Sequence, residues 1–171
     1  MENIDQAEES VLFKRFPGQT AEEISCYAPK PLSDIKPQQV VVIAGTNDLT
    51  RAVYERGHIN EYDIVENIIK IGRSARDYGA QKIHISSIHV RQGQQYRNAI
   101  VRVNNLLSTR CVEENFFFMD QSDITIAHIS FDGIHPNFYG TTILKMNILS
   151  VFSTFNPYLC TFDSDYDRAL S

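Results

Sequence analysis

VVVIAGTNDLT, residues 40–50, opens with five apolar residues, most of them β-branched, before Gly45 breaks the run. A strand with one wet face would alternate apolar and polar side chains. A continuous run belongs to a strand covered on both faces, as in a parallel sheet. Thr46-Asn47-Asp48 then lies at what would be the carboxyl end of that strand, where open α/β sheets place their ligands.

Downstream, EYDIVENIIKIGRSARDYG (61–79) spaces Ile64, Ile68, Ile71, Ala75 and Tyr78 at steps of three and four, which predicts a helix stopped by Gly79. KIHISSI (82–88) reads as a strand, and YRNAIVRVNNLLSTRCVE (96–113) as a second long helix with Ile100, Val103, Leu106 or Leu107, and Cys111 on one side. FFFMD (116–120) is a further strand, and a last helix is expected over 138–152. Upstream, VLFKRF (11–16) reads as a strand ending in a Pro17-Gly18 turn, and Thr20 with Glu22 and Glu23 resembles a capping box opening a helix over 21–27. PKPLSDIKPQQ (29–39) reads as a proline-containing linker.

Strands alternating with helices predict an α/β fold: a flavodoxin-like three-layer αβα arrangement with a mostly parallel sheet. The 171 residues, 43% hydrophobic and 22% charged, suit one core. The expected organisation is a disordered, acidic N-terminus over 1–10, a single domain over 11–155, and an acidic C-terminal tail over 156–171, read as an ordered edge or a disordered extension. A net charge of −5 speaks against a nucleic-acid-binding surface. No apolar run is long enough for a membrane span, and MENIDQAEES lacks the character of a signal peptide, so a cytoplasmic protein is expected. Three widely spaced cysteines, Cys26, Cys111 and Cys160, fit thiols of a reducing compartment. There is no CxxC pair, and His84 and His89, five apart, fall on opposite faces of a strand. His58 and His128 lack carboxylates at ligand spacing, and neither a metal nor another cofactor is expected.

Three loops hold the residues that could carry chemistry: FPGQT (16–20), AGTNDLT (44–50) and SFDGIHPNFYG (130–140). Singly, each has a plain structural reading: a turn glycine, an Asn-Asp helix cap, a turn before a packed histidine. Together, in this order and these contexts, they resemble the SGNH hydrolases (GDSL-type esterases and lipases). RFPGQTAEEI is similar to that family's glycine block, VVVIAGTNDLT to its GxND block, and DGIHPNFYGTTIL to its DxxH block. The stretch from KIHISSIHVR through YRNAIVRVNNLL to FFFMD is similar to the connecting strand, asparagine-containing helix and strand. The resemblance spans residues 11–151.

It implies ester hydrolysis through a tetrahedral oxyanion, which prepositioned donors would stabilise. The N–H of Gly18 and the side-chain amide of Asn47 would be two of three such donors. His135 would act as general base and then acid, oriented by Asp132. Loops 49–60 and 90–96 would shape the substrate site.

One block is missing from this reading. The family carries its serine in a GDS-like block at the end of a first, central strand well before the glycine block, and only 17 residues precede Gly18. MENIDQAEES holds neither an apolar strand nor Gly-Asp-Ser, and Ser10 stands at the wrong end of its strand. Ser86, Ser87 and Thr46 read better as packing or polar lining than as replacement nucleophiles. No nucleophile is therefore assigned. The central strand, expected between those that lead to Gly18 and Gly45, has no counterpart in this reading, and either its neighbours close up or something else fills the gap. A truncated reading frame, a strand supplied in trans and a decayed remnant would each account for it. The expectation is an esterase-like domain, inactive for want of its serine, that meets a small ester substrate or ligand. The alternative is a non-catalytic binding module, such as a remnant of a mobile-element protein.

Overall fold

The computed structural model describes residues 11–152 and 159–163. Strand β1 (Val11–Arg15) leads through the Pro17-Gly18 turn into helix α1 (Ala21–Tyr27). The capping box forms as expected: the Thr20 hydroxyl accepts the Glu23 N–H, and the Glu23 carboxylate accepts the Thr20 N–H at 2.8 Å. The proline-containing segment is a correction, because much of it is helix α2 (Pro29–Ile35). Pro29 and Pro31 fall in the first turn, where the helix has no use for their missing N–H groups. The helix ends at Lys36, whose φ of 52° is left-handed.

Strand β2 (Gln39–Ile43) is buried at every position. The following stretch, read from sequence as a loop, coils instead into helix α3 (Thr46–Arg51) and one π-helical turn (Ala52–Arg56). It has no side-chain cap, since Gly45 occupies the N-cap, so the usual start signal is absent from the sequence. Helix α4 (Glu61–Asp77), strand β3 (Lys82–Ser86), helix α5 (Gln94–Glu114), strand β4 (Phe117–Met119) and helix α6 (Phe138–Phe152) follow where their patterns place them. Ile64, Ile68, Ile71 and Ala75 are buried along α4, whereas Tyr78 caps its end and is 39% exposed.

Alternate residues of β2 face different layers, as the two-residue repeat of a strand requires. Val40 and Val42 pack with Ile83 and Ile85 of β3 against Ile24, Leu32, Ile68, Ile71, Val103 and Leu107 from α1, α2, α4 and α5. Val41 and Ile43 face the other way, onto Leu144, Ile148 and Phe152 of α6. The result is an αβα sandwich, and the two-sided cover explains why the run over 40–44 has no polar break.

The tail contributes a strand that the sequence does not announce. Strand β5 (Leu159–Asp163) pairs in parallel with β1 on one side and β2 on the other, so the sheet runs β1-β5-β2-β3-β4. This is an interior position, not an edge, and it is the gap expected between the strands leading to Gly18 and Gly45. The slot that the sequence reading left open between those two strands is filled by β5, residues 159–163. Its backbone groups pair with both neighbours, removing the cost of about 1–3 kcal/mol for each buried unpaired group that an empty slot would carry.

Candidate active site at the carboxyl ends of the strands

All five strands are parallel, so their carboxyl ends share one edge, and the loops singled out by sequence gather there. Gly18, three residues beyond β1, adopts φ +70° with open space where a side chain would begin. Gly45, two beyond β2, has φ +109°, and a Cβ there would come within 2.5 Å of Ile88. That turn admits only glycine, for reasons of both backbone and packing.

Helix α3 holds the Gly18 loop by four side-chain bonds. Asn47 Nδ2 donates to the Gln19 carbonyl at 3.0 Å, and Asp48 Oδ2 accepts the first N–H of α1, from Ala21, at 2.9 Å. Arg51 donates to the Gly18 carbonyl at 3.0 Å and to Glu23 at 2.8 Å. Sequence-predicted Gly18 and Asn47 are thus brought together. Asp48 is buried, and that burial raises its carboxyl to about 6 against the lowering effect of the Ala21 N–H and its own backbone N–H.

The DGIH loop is held from within. Asp132 Oδ1 accepts the N–H groups of Ile134 and His135 at 2.9 and 3.0 Å, and its Oδ2 meets His135 Nδ1 at 2.6 Å. Partial burial pushes the Asp132 carboxyl up, but the Ile134 N–H, the His135 ring and the His135 N–H outweigh it and hold the group down at about 2. A carboxylate ionised across the working range therefore faces Nδ1, which directs Nε2 of the same ring away from it as the group able to exchange a proton with a ligand. Asn137 caps α6 by accepting the N–H groups of Tyr139 and Gly140, and its amide donates to the Ala127 carbonyl.

Sequence reading missed the residue that ties the two halves together. Arg91 is only 3% exposed, and its guanidinium donates to the Thr46 carbonyl and the Thr50 hydroxyl while lying over the Tyr96 ring at 4.0 Å. The next residue, Gln92, donates its N–H to the Gly133 carbonyl at 2.8 Å. The segment over 90–96, expected to shape the substrate site, thereby links the Asn47 helix to the Asp132 loop. Its only sequence signal is an arginine close after a buried strand, which resembles any surface arginine. Below it, Asn104 of α5 donates to the Ile88 carbonyl and accepts the Ile88 N–H, both at 2.8 Å.

The other candidates are internally occupied. Ser86 Oγ donates to the Ser87 carbonyl, and Ser87 Oγ accepts the Gln121 N–H, so both serve a buried network. His84 stacks on Phe117 and shares a hydrogen bond with Gln39, and burial lowers it to about 4. His89 is buried against the Val90 carbonyl, with its ring held toward the neutral form chiefly by that burial. Thr46 gives its carbonyl to Arg91. Among the described residues, no group of three His, Cys, Asp or Glu side chains could hold a metal ion, and no helix is long and apolar enough to cross a membrane. Cys26 and Cys111 are free, and burial raises the Cys111 thiol to about 11.

No protein-family model and no curated protein sequence matches the chain. Solved structures do. A GDSL-like lipase from Bacteroides thetaiotaomicron superposes with a TM-score of 0.66 at 19% identity, over 78% of this chain and 71% of the other. An acetylxylan esterase from Geobacillus stearothermophilus superposes with a TM-score of 0.67 at 18% identity, over 81% and 69%. Structures described as catalytic mutants of that esterase replace a serine, an aspartate and a histidine, the last two being three positions apart and far downstream of the serine. At these identities the likeness is one of fold.

Proposed function

We propose that this chain, which has the SGNH-hydrolase fold, hydrolyses small carboxylic esters, with acetyl and other short acyl esters as the substrate class. The observation that carries the reading is the Asp132–His135 pair, closed at 2.6 Å on the edge of the sheet that also presents Gly18 and Asn47. In this reading the Gly18 N–H and the second Asn47 amide hydrogen stabilise the oxyanion, and His135 Nε2 moves the proton. Each oxyanion donor contributes on the order of 3 kcal/mol to such a transition state. Asp132 and His135 are about half exposed, as access to a ligand requires. The esterases and lipases among the structural neighbours fit a small ester.

Turnover of p-nitrophenyl acetate by the 171-residue chain tests this. The expected result is hydrolysis that falls at least about a thousandfold in His135→Ala. Hydrolysis unaffected by that substitution would assign it to some other group. The second reading, a binding module without turnover, rests on the Asn47 clamp, which would order the loops in either case. It predicts that acetate raises the melting temperature of the chain and that Asn47→Ala abolishes the shift.

A further inference from the structure

Counting β5 as the first strand turns the sheet order β1-β5-β2-β3-β4 into 2-1-3-4-5, the order of a flavodoxin-like doubly wound sheet. In that order the first strand lies inside the sheet, beside the switch point where ligands bind. Strand β5 occupies that position, so the structural order is complete although the chain order is rotated. Helix α6 ends at Phe152, and residues 153–158 carry the chain from it to Leu159 at the start of β5.

The register fixes where β5 ends. Asp163 pairs with Arg15 of β1 and with Ile43 of β2, so its Cα lies level with the last residues of both neighbours. Gly18 follows one of those strands and Asn47 follows the other. The residue joined to Asp163 is Ser164, and a trans peptide separates the two Cα atoms by about 3.8 Å. Ser164 is therefore the next residue in sequence after the carboxyl end of an interior strand whose two neighbours lead into the Gly18 and Asn47 loops. Phe162-Asp163-Ser164 keeps the Asp-Ser of the Gly-Asp-Ser block that the resemblance calls for and has phenylalanine at its glycine.

The geometry points to Ser164 as the nucleophile, delivered by a strand that comes last in this chain and stands first in the sheet. This rests on the ester-hydrolase reading above and supplies its absent group. In the geobacillus esterase the serine precedes the aspartate and the histidine, whereas Ser164 follows Asp132 and His135. The reaction balances with water as co-reactant. The Ser164 hydroxyl gives its proton to His135 Nε2 as Oγ bonds to the ester carbon, and the carbonyl electron pair moves onto oxygen. Collapse breaks the bond to the alcohol, which leaves with the proton from His135. Water then attacks the acyl-serine, giving a proton to His135, and the second collapse returns that proton to Ser164 and frees the carboxylic acid.

The test uses the full chain with p-nitrophenyl acetate turnover, labelling by a fluorophosphonate with peptide mapping, and melting temperature as a check on folding. Ser164→Ala and His135→Ala are each expected to lower turnover about a thousandfold or more, with Ser10→Ala at the wild-type rate and the phosphonate on the peptide containing Ser164. Ser164→Cys, which keeps a nucleophile of similar size, is expected to accumulate an acetyl-thioester visible by mass. Turnover that persists in Ser164→Ala but is lost in His135→Ala, or a label on another residue, would overturn Ser164 and leave the hydrolase reading standing. A folded wild-type chain with neither turnover nor label would overturn both, and an Asn47-dependent thermal shift with acetate would then favour the binding module.

Discussion

At Asp48 a carboxyl accepts the first N–H of α1 in a setting too dry for its charge. Its folded value of about 6 lies above the ordinary 3.8, so the folded state holds the proton more tightly than the unfolded chain does. The stability this confers is fully present below about pH 4 and is lost as the pH rises through about 6. Asp48→Asn keeps an acceptor for Ala21 and has no such titration. Denaturant melts at pH 5 and pH 7.5 should therefore show a loss on the order of 1 kcal/mol in the wild type from this group, and a flatter response in the variant. Asp132 behaves in the opposite sense. Its lowered value keeps it ionised down to acidic pH, and its contribution is lost only as the pH falls toward 2. The Asp132–His135 pair was legible in sequence because its members are three residues apart, and one turn closes the bond. Asp48, read only as part of a cap, acquires its work from Ala21, which lies 27 positions away.

Among the elements, the turn after β2 sets the direction of α3 and therefore the position of Asn47, Asp48 and Arg51. Gly45→Ala would combine an unfavourable φ with a contact against Ile88, costing about 2–5 kcal/mol and displacing α3 from the Gly18 loop. Chemical denaturation should show the loss, and any ester turnover should fall with it. The long helices were legible because their apolar residues recur along one face: α4 buries Ile64, Ile68, Ile71 and Ala75 as its spacing demands. Helix α2 was obscured by prolines whose meaning depends on whether they sit in a first turn, and α3 by a glycine at its N-cap. Helices α4 and α5 are further clasped by Glu114, which accepts from Arg73 and Arg76, and by Arg110, which binds Glu66. Arginines and glutamates on a helix carry no sign of such pairing in sequence until the helices are packed.

Across the whole molecule, the decisive fact is that β5 joins the two halves of the sheet. Removing residues 159–171 should leave β1 and β2 facing an empty slot, and the cooperative thermal transition measured by circular dichroism should broaden or disappear. A truncated chain that melts like the full one would place the stability elsewhere. The apolar run over 40–44, the helical periodicities and the three loop motifs were enough to indicate an αβα fold with a candidate site at the carboxyl edge, because each is written in residues close together along the chain. The segment LCTFD carries no local mark separating an interior strand from a tail, and parallel pairing between residues more than a hundred positions apart has no local signature. Only the tertiary structure, by leaving one slot between β1 and β2 whose backbone groups had to be paired, decided that the end of the chain belongs at its centre.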